Sequence, residues 1–133
     1  MNRRSPVPKA STTHTIAEHF EGREPSVKAT YARILAASRK LGPFHEEPKK
    51  TSIHLARTTA FAGVATRKSA LTLTVKSASD IASERIAKRE RASANRWHLE
   101  IRLERPEEVD RQLISWLKAA YALAKERRPP RRR

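Results

Sequence analysis

Two stretches of this chain alternate apolar and polar residues with a period of two, and that pattern constrains the fold more than anything else in the sequence. Leu71, Leu73 and Val75 alternate with Thr72, Thr74 and Lys76; Trp97, Leu99, Ile101 and Leu103 alternate with His98, Glu100 and Arg102. Successive side chains of a strand point to opposite faces. Each stretch therefore predicts a strand with one face buried and one face in water, the habit of an antiparallel sheet. A third alternation sets Thr51, Ile53 and Leu55 against Lys50, Ser52 and His54, and a shorter apolar run, Phe61 to Val64, is interrupted by Gly63. Thr66 to Ser69 reads as a polar turn.

A one-sided sheet needs a cover, and the chain offers one at each end. Thr15 and Glu18 have the spacing of a capping box and predict a short helix through Phe20, ending at Gly22. Pro25 opens a second helix at its first position, with Val27, Tyr31, Ile34, Leu35 and Leu41 as a stripe at helical spacing. Leu41-Gly42-Pro43 is a stop. Pro106 with Glu107 and Glu108 opens a last helix, whose acids suit the positive end of the helix dipole. Its apolar face is Val109, Leu113, Trp116, Leu117, Ala120 and Ala124. Residues 77–92 offer only Ile81 and Ile86 for burial, and predict an irregular crossing segment with an edge strand near Ile86. The expected fold is α+β: a small antiparallel sheet of about four strands, with two N-terminal helices and one C-terminal helix packed on one face.

Charge separates the ends from this patterned middle. Of a formal net charge of +15 over 133 residues, residues 1–14 and 125–133 supply +8, leaving +7 on residues 15–124. The expected organisation is a disordered basic tail over 1–14, a single domain over 15–124, and a disordered Arg-rich tail over 125–133. A pI near 11.2 points to an anionic partner, nucleic acid or another polyanion. The competing reading makes the tails solubilising extensions or the habit of an Arg- and Ala-rich genome.

Other classes are excluded by composition. The chain has no cysteine, so there is no disulfide frame, thiolate zinc site or cysteine nucleophile. Three glycines, Gly22, Gly42 and Gly63, cannot build a phosphate-cradling loop. No G-x-S-x-G elbow or H-E-x-x-H spacing occurs, and no cofactor is implied. The N-terminus lacks the apolar stretch of a signal peptide, and no run is long enough to span a bilayer, so a soluble, cytoplasmic protein is expected.

A series of phrases adds a resemblance: Glu18-His19-Phe20 with Gly22 and Pro25, Leu41-Gly42-Pro43, Lys49 to Leu55, Phe61-Ala62-Gly63-Val64, Arg67-Lys68, Ser93 to His98, and Trp116-Leu117 with Ala120-Tyr121. In this order they resemble a bacterial family of uncharacterised domains, the domain-of-unknown-function family indexed 5655, over about residues 15–124. The resemblance implies a small α+β domain with a helix-sheet-helix plan. It implies no catalytic residue, and its use as an appendage of larger proteins implies a binding module.

The candidate site follows from the strand period. With Thr51, Ile53, Leu55, Leu71, Leu73, Val75, Trp97, Leu99 and Ile101 inward, the other face carries Lys50, Ser52, His54, Thr72, Thr74, Lys76, His98 and Arg102, groups that bind phosphate, with Glu100 as the main counter-charge. The alternative is a plain solvated face, and aromatic residues for stacking bases are missing from it. Arg85 to Arg91, with Arg96 close behind, forms a second basic cluster; its alternative is a loop whose arginines pair with Glu84 and Glu90. Arg127, Arg128, Arg131, Arg132 and Arg133 are the tail's contribution to an anion site. His54 and His98, if they meet across the sheet, would support a metal or a proton relay and an enzyme reading. Glu46-Glu47-Pro48-Lys49-Lys50 holds a fragment of a metal-dependent nuclease motif, without the upstream aspartate that chemistry needs. The leading expectation is a non-enzymatic binding module for an anionic partner. The alternatives are a small-molecule or protein-binding domain with incidental tails, and an enzyme using His54 or His98.

Overall fold

The computed structural model describes residues 14–125. They form two layers: a six-stranded antiparallel sheet and, on one of its faces, two α-helices. Helix α1 spans Pro25–Arg39 and helix α2 spans Arg111–Lys125. The strands are β1 (His45–Pro48), β2 (Ile53–Ala56), β3 (Ala60–Thr66), β4 (Leu71–Ser77), β5 (Ile86–Ser93) and β6 (Arg96–Leu103), in the order β1-β2-β3-β4-β6-β5.

Six strands form where about four were expected, and the short helix expected through Phe20 is a four-residue 3-10 helix, Ala17–Phe20, rather than an α-helix. Thr15 does accept from the Glu18 backbone N–H, but the Glu18 carboxylate turns to His14 Nδ1 at 2.8 Å, so the reciprocal half of the capping box is missing. The strands beyond four are the two edges, and β5 falls where an edge strand near Ile86 was expected. β1 is four residues long and carries Pro48 at its end, which an edge tolerates because one side of the strand needs no ladder bonds. β5 buries only Ile86. Such a strand has no alternation to read, and pairing with β6 alone specifies it.

Where the period-two pattern was strong, the register follows it. Ile53, Leu55, Leu71, Leu73, Val75, Leu99, Ile101 and Leu103 are buried, while His54, Thr72, Thr74, Lys76 and His98 are only half-buried. Strand β2 begins later than its pattern implied, at Ile53; Lys50 and Thr51 lie exposed in the β1–β2 turn and belong to neither face. A bulge between Leu55 and Ala56 gives β3 an extra residue there. That residue, Phe61, is fully buried and packs edge-on against Phe44 and Tyr121, with ring centroids 5.8 and 5.2 Å apart.

Helix α2 crosses β3 and β4 and supplies Leu113, Trp116, Leu117, Ala120, Tyr121 and Ala124 to the core. It starts later than Pro106: Pro106–Glu108 is a separate 3-10 turn, and Asp110 caps the helix by accepting from Leu113 N–H at 3.1 Å. That bond holds the Asp110 carboxyl below the usual carboxylate range. Helix α1 packs chiefly on the 3-10 turn and beside α2, burying Val27, Tyr31 and Ile34. Trp97 lies at the start of β6 and is half-buried rather than a core residue, with the Arg91 guanidinium 5.9 Å from its ring centroid.

Strands β4 and β5 run parallel to one another with β6 between them. Residues 78–85 therefore return along the sheet, with Ile81 against the core. Arg85 anchors this return. It donates to Asp110 at 2.9 Å, to Gln112 Oε1 at 3.0 Å and to the Glu108 carbonyl at 2.8 Å. Arg89 reaches Asp80 at 2.8 Å and the Ile81 carbonyl at 3.0 Å. The expected pairing of these arginines with Glu84 and Glu90 is replaced by these longer-range ties.

Candidate functional site

The face of the sheet away from the helices carries a groove of about 360 Å³, lined by Ser52, His54, Ala60, Ala62, Gly63, Val64, Ala65, Thr74, Lys76 and His98. Its floor is β3. On this face β3 presents Gly63 and Ala65, with Ala60 beyond the bulge, so one central strand carries nothing larger than a methyl group. The strands on either side stand taller. Gly63 pairs with His54 on β2 and with Thr74 on β4; Thr74 pairs in turn with Glu100 on β6, and Lys76 with His98 is the next pair along on the same face. The groove is thus a missing row of side chains between two rows that are present.

No carboxylate is among the groove's lining residues, although Glu100 is paired with Thr74 and Glu47 with His54 just beyond it; among the described residues Lys76 has no ion-pair partner. Burial holds the His54 imidazole below its ordinary pKa, and the cations of Lys49 and Lys76 push it the same way. Nearby, Glu47 is opposite His54 in register but is engaged elsewhere, bonded to His45 Nε2 at 2.6 Å and 3.6 Å from Lys49 Nζ. The His45 bond, first, and the Lys49 charge hold its carboxyl low. Glu46 points the other way, accepting from the Tyr31 hydroxyl at 2.7 Å, with Arg39 3.7 Å away. Burial and that bond push the Tyr31 phenol up. The two acids of the nuclease-like fragment therefore lie on opposite sides of β1, which removes that reading. Among the described residues no group of three histidines and carboxylates is placed to hold a metal.

The predicted site residues divide. His54, Thr74, Lys76 and His98 come together around the groove. His54 and His98 do not meet: β3 and β4 lie between their strands, three inter-strand steps or about 14 Å. That distance removes a shared metal or proton, and with it the geometry that motivated the enzyme reading. Arg102 is on the same face but bonded to Glu104 at 3.1 Å. Arg96 sits at the β5–β6 turn, donating to the Asn95 carbonyl at 2.9 Å, away from the groove. Lys50 is in its own turn. Arg127, Arg128, Arg131, Arg132 and Arg133 lie outside the described residues. The groove floor was missed by sequence reading, although Gly63 within an apolar run, with Ala65 next on the same face, was its trace.

A second hollow, bounded by Lys40, Gly42, Pro43, Arg57, Lys118 and Tyr121, is also basic. Its Arg57 lies flat on Tyr121, 3.7 Å from the ring centroid, and donates to the Tyr121 carbonyl at 3.1 Å. Lys40 caps the C-terminal end of α1, where a cation offsets the carbonyl dipoles, while Lys118 lies in the middle of α2.

The described residues thus form a two-layer α+β domain with an uncovered antiparallel face and a groove across it. The model of the family described as domain of unknown function (DUF5655) matches residues 16–124, and the chain belongs to that family. No curated protein and no solved structure matches the chain.

Proposed function

We propose that this protein is a non-enzymatic binding module that engages an anionic partner, with nucleic-acid phosphate as the leading chemistry. The observation that carries the reading is Lys76: an ammonium without an ion-pair partner among the described residues, on an open face, beside the hydroxyl of Thr74 and the imidazoles of His54 and His98. Phosphate oxygens accept from this set of donors without regard to base sequence. The whole-chain charge of +15, with Arg127, Arg128, Arg131, Arg132 and Arg133 in the tail, would add long-range attraction. No helix among the described residues is long and apolar enough to cross a membrane.

The test is fluorescence anisotropy with a short DNA duplex at several salt concentrations. Each phosphate neutralised contributes about −0.9 to the log–log salt slope. Replacing Arg131, Arg132 and Arg133 with Ala should make the slope shallower by about 2.7, and Lys76→Ala by about 0.9. Binding that is absent at low salt refutes the nucleic-acid reading. A second reading, a small-molecule module, is favoured by the concavity of the groove, which a duplex backbone does not require.

A further inference from the structure

Gly63 has no structural reason to be glycine. It lies inside β3, paired on both sides, where glycine is the weakest choice because it packs nothing and gives up the most chain freedom. Only Gly22 and Gly42 have the positive φ that favours glycine. Nor is space short: a Cβ at Gly63 would meet His54 Cδ2 at 3.7 Å and the Ile53 carbonyl oxygen at 4.0 Å, both ordinary contacts. What the missing side chain does is keep the floor of the groove low between His54 and Thr74. A glycine within a strand marks a bulge or a place where another group comes close to the backbone, and the bulge of β3 puts its extra residue at Phe61, not at Gly63.

We propose that the groove over Gly63 is the binding site of a small flat organic anion, an aromatic or heterocyclic ring bearing a carboxylate or phosphate. The ring follows from the width. His54 and Thr74 are two inter-strand steps apart, about 9.5 Å between their strands. A ring standing between them in contact with both needs about 7–8 Å, since packed carbons sit at about 3.5–4 Å. The methyl-or-smaller floor of Gly63 and Ala65 lets the ring's edge reach the sheet, and the His54 imidazole supplies a flat wall. The anionic group follows from the lining, which holds one ammonium, Lys76, one step along from Thr74, and no carboxylate; Glu47 and Glu100 lie one strand further out on either side. The volume of about 360 Å³ suits a single ring with one substituent. This site shares Lys76 with the nucleic-acid reading but does not need the tails, the rest of that face or a polymer.

The experiment is an NMR titration of the full chain with benzoate and with phenyl phosphate. Cyclohexanecarboxylate serves as the non-planar control and inorganic phosphate as the ringless one. The expected result is saturable shifts of the Gly63 amide and the His54 ring, with dissociation constants of about 1–10 mM for ligands of this size, and at least fivefold weaker binding of both controls. The phenyl phosphate and benzoate arms decide which anionic group is preferred. Gly63→Val raises the floor at a position whose backbone suits it. It should keep the wild-type melting temperature or raise it, and weaken ring-anion binding at least tenfold. Lys76→Met keeps the shape and should remove the preference for the anion over neutral benzamide. No saturable shift with either ring anion, or undiminished binding by a folded Gly63→Val chain, overturns the proposal. If Gly63→Val does not fold, the argument that glycine is structurally unnecessary there is itself overturned. A chain that takes up phenyl phosphate but no duplex leaves this site standing and refutes the nucleic-acid reading; the reverse result does the opposite.

Discussion

Gly42 closes the segment after helix α1 at φ 146°, in the half of the map that side chains avoid, and its Cα faces Tyr121 of α2. A Cβ placed there would overlap the Tyr121 hydroxyl and lie 3.0 Å from Cζ and 3.3 Å from Cε1. That hydroxyl donates to the Pro43 carbonyl at 2.8 Å and so fastens the α1–β1 connection to α2. Gly42→Ala thus meets two costs. The backbone strain is about 1–3 kcal/mol. Displacing Tyr121 removes its hydrogen bond, about 0.5–1.5 kcal/mol. The overlap is relieved as the ring moves, so the two together predict a loss of about 2–4 kcal/mol. Tyr121→Phe alone removes only the hydrogen bond and should cost about 1 kcal/mol. In the double variant the hydroxyl is no longer there to be displaced, and the combined loss should fall short of the sum by about 1 kcal/mol. Urea unfolding followed by tryptophan fluorescence reads all four corners of the cycle, provided the slope with denaturant is unchanged. A Gly42→Ala protein within about 0.5 kcal/mol of wild type, or strict additivity in the double variant, would refute the reasoning.

Three further outcomes follow from the packing and the charges. Trp116 is 9% exposed on the buried face of α2, so Trp116→Ala should cost about 3–5 kcal/mol in the same urea experiment, and a loss under about 1 kcal/mol would place the ring outside the core. Arg85→Ala should destabilise by about 1–3 kcal/mol, and Arg85→Lys should recover less than half of that, because an ammonium cannot reach Asp110, Gln112 and the Glu108 carbonyl together. The folded pKa of His54 lies below its unfolded value of about 6.5, so its contribution to stability is complete above that pH and is lost as pH falls through the folded value. Stability measured between pH 7 and 5 should therefore fall less in His54→Gln than in wild type, and an NMR titration giving His54 a pKa at or above 6.5 would contradict this.

The sheet was legible wherever a strand has one dry face and one wet one. Leu71 to Lys76 and Leu99 to Leu103 announce both strand and register, because every second residue is buried. The stripe of α2 was equally clear, from Leu113 to Ala124. The edges were not. In β5 the residues after Ile86 are all exposed, so the ladder to β6 specifies the strand and no side-chain pattern records it. In β1 the sequence His-Glu-Glu-Pro has poor strand propensity, and its pairing with β2 overrides that preference. The candidate site was half legible. Period two put His54, Thr74, Lys76 and His98 on one face, but a groove is defined by what is missing, and Gly63 and Ala65 carry no chemistry that a motif would record. The separation of His54 from His98 depends on strand order, which the alternation does not contain.

The order of strands also bears on how the molecule stays dispersed at high concentration. An open sheet ends in two rows of unpaired backbone N–H and C=O groups, each a template on which a second chain can add a strand and begin a fibre. Here one margin is four residues long and ends in Pro48, which has no N–H to offer. The other, eight residues long, carries Lys88, Arg89, Glu90 and Arg91 in succession, so an incoming copy would bring a largely cationic row against its like. The charges that left β5 without a readable pattern are thus the ones that guard its open side against self-templating, and a version of the chain neutralised over Lys88 to Arg91 should form thioflavin-positive assemblies that the native sequence resists.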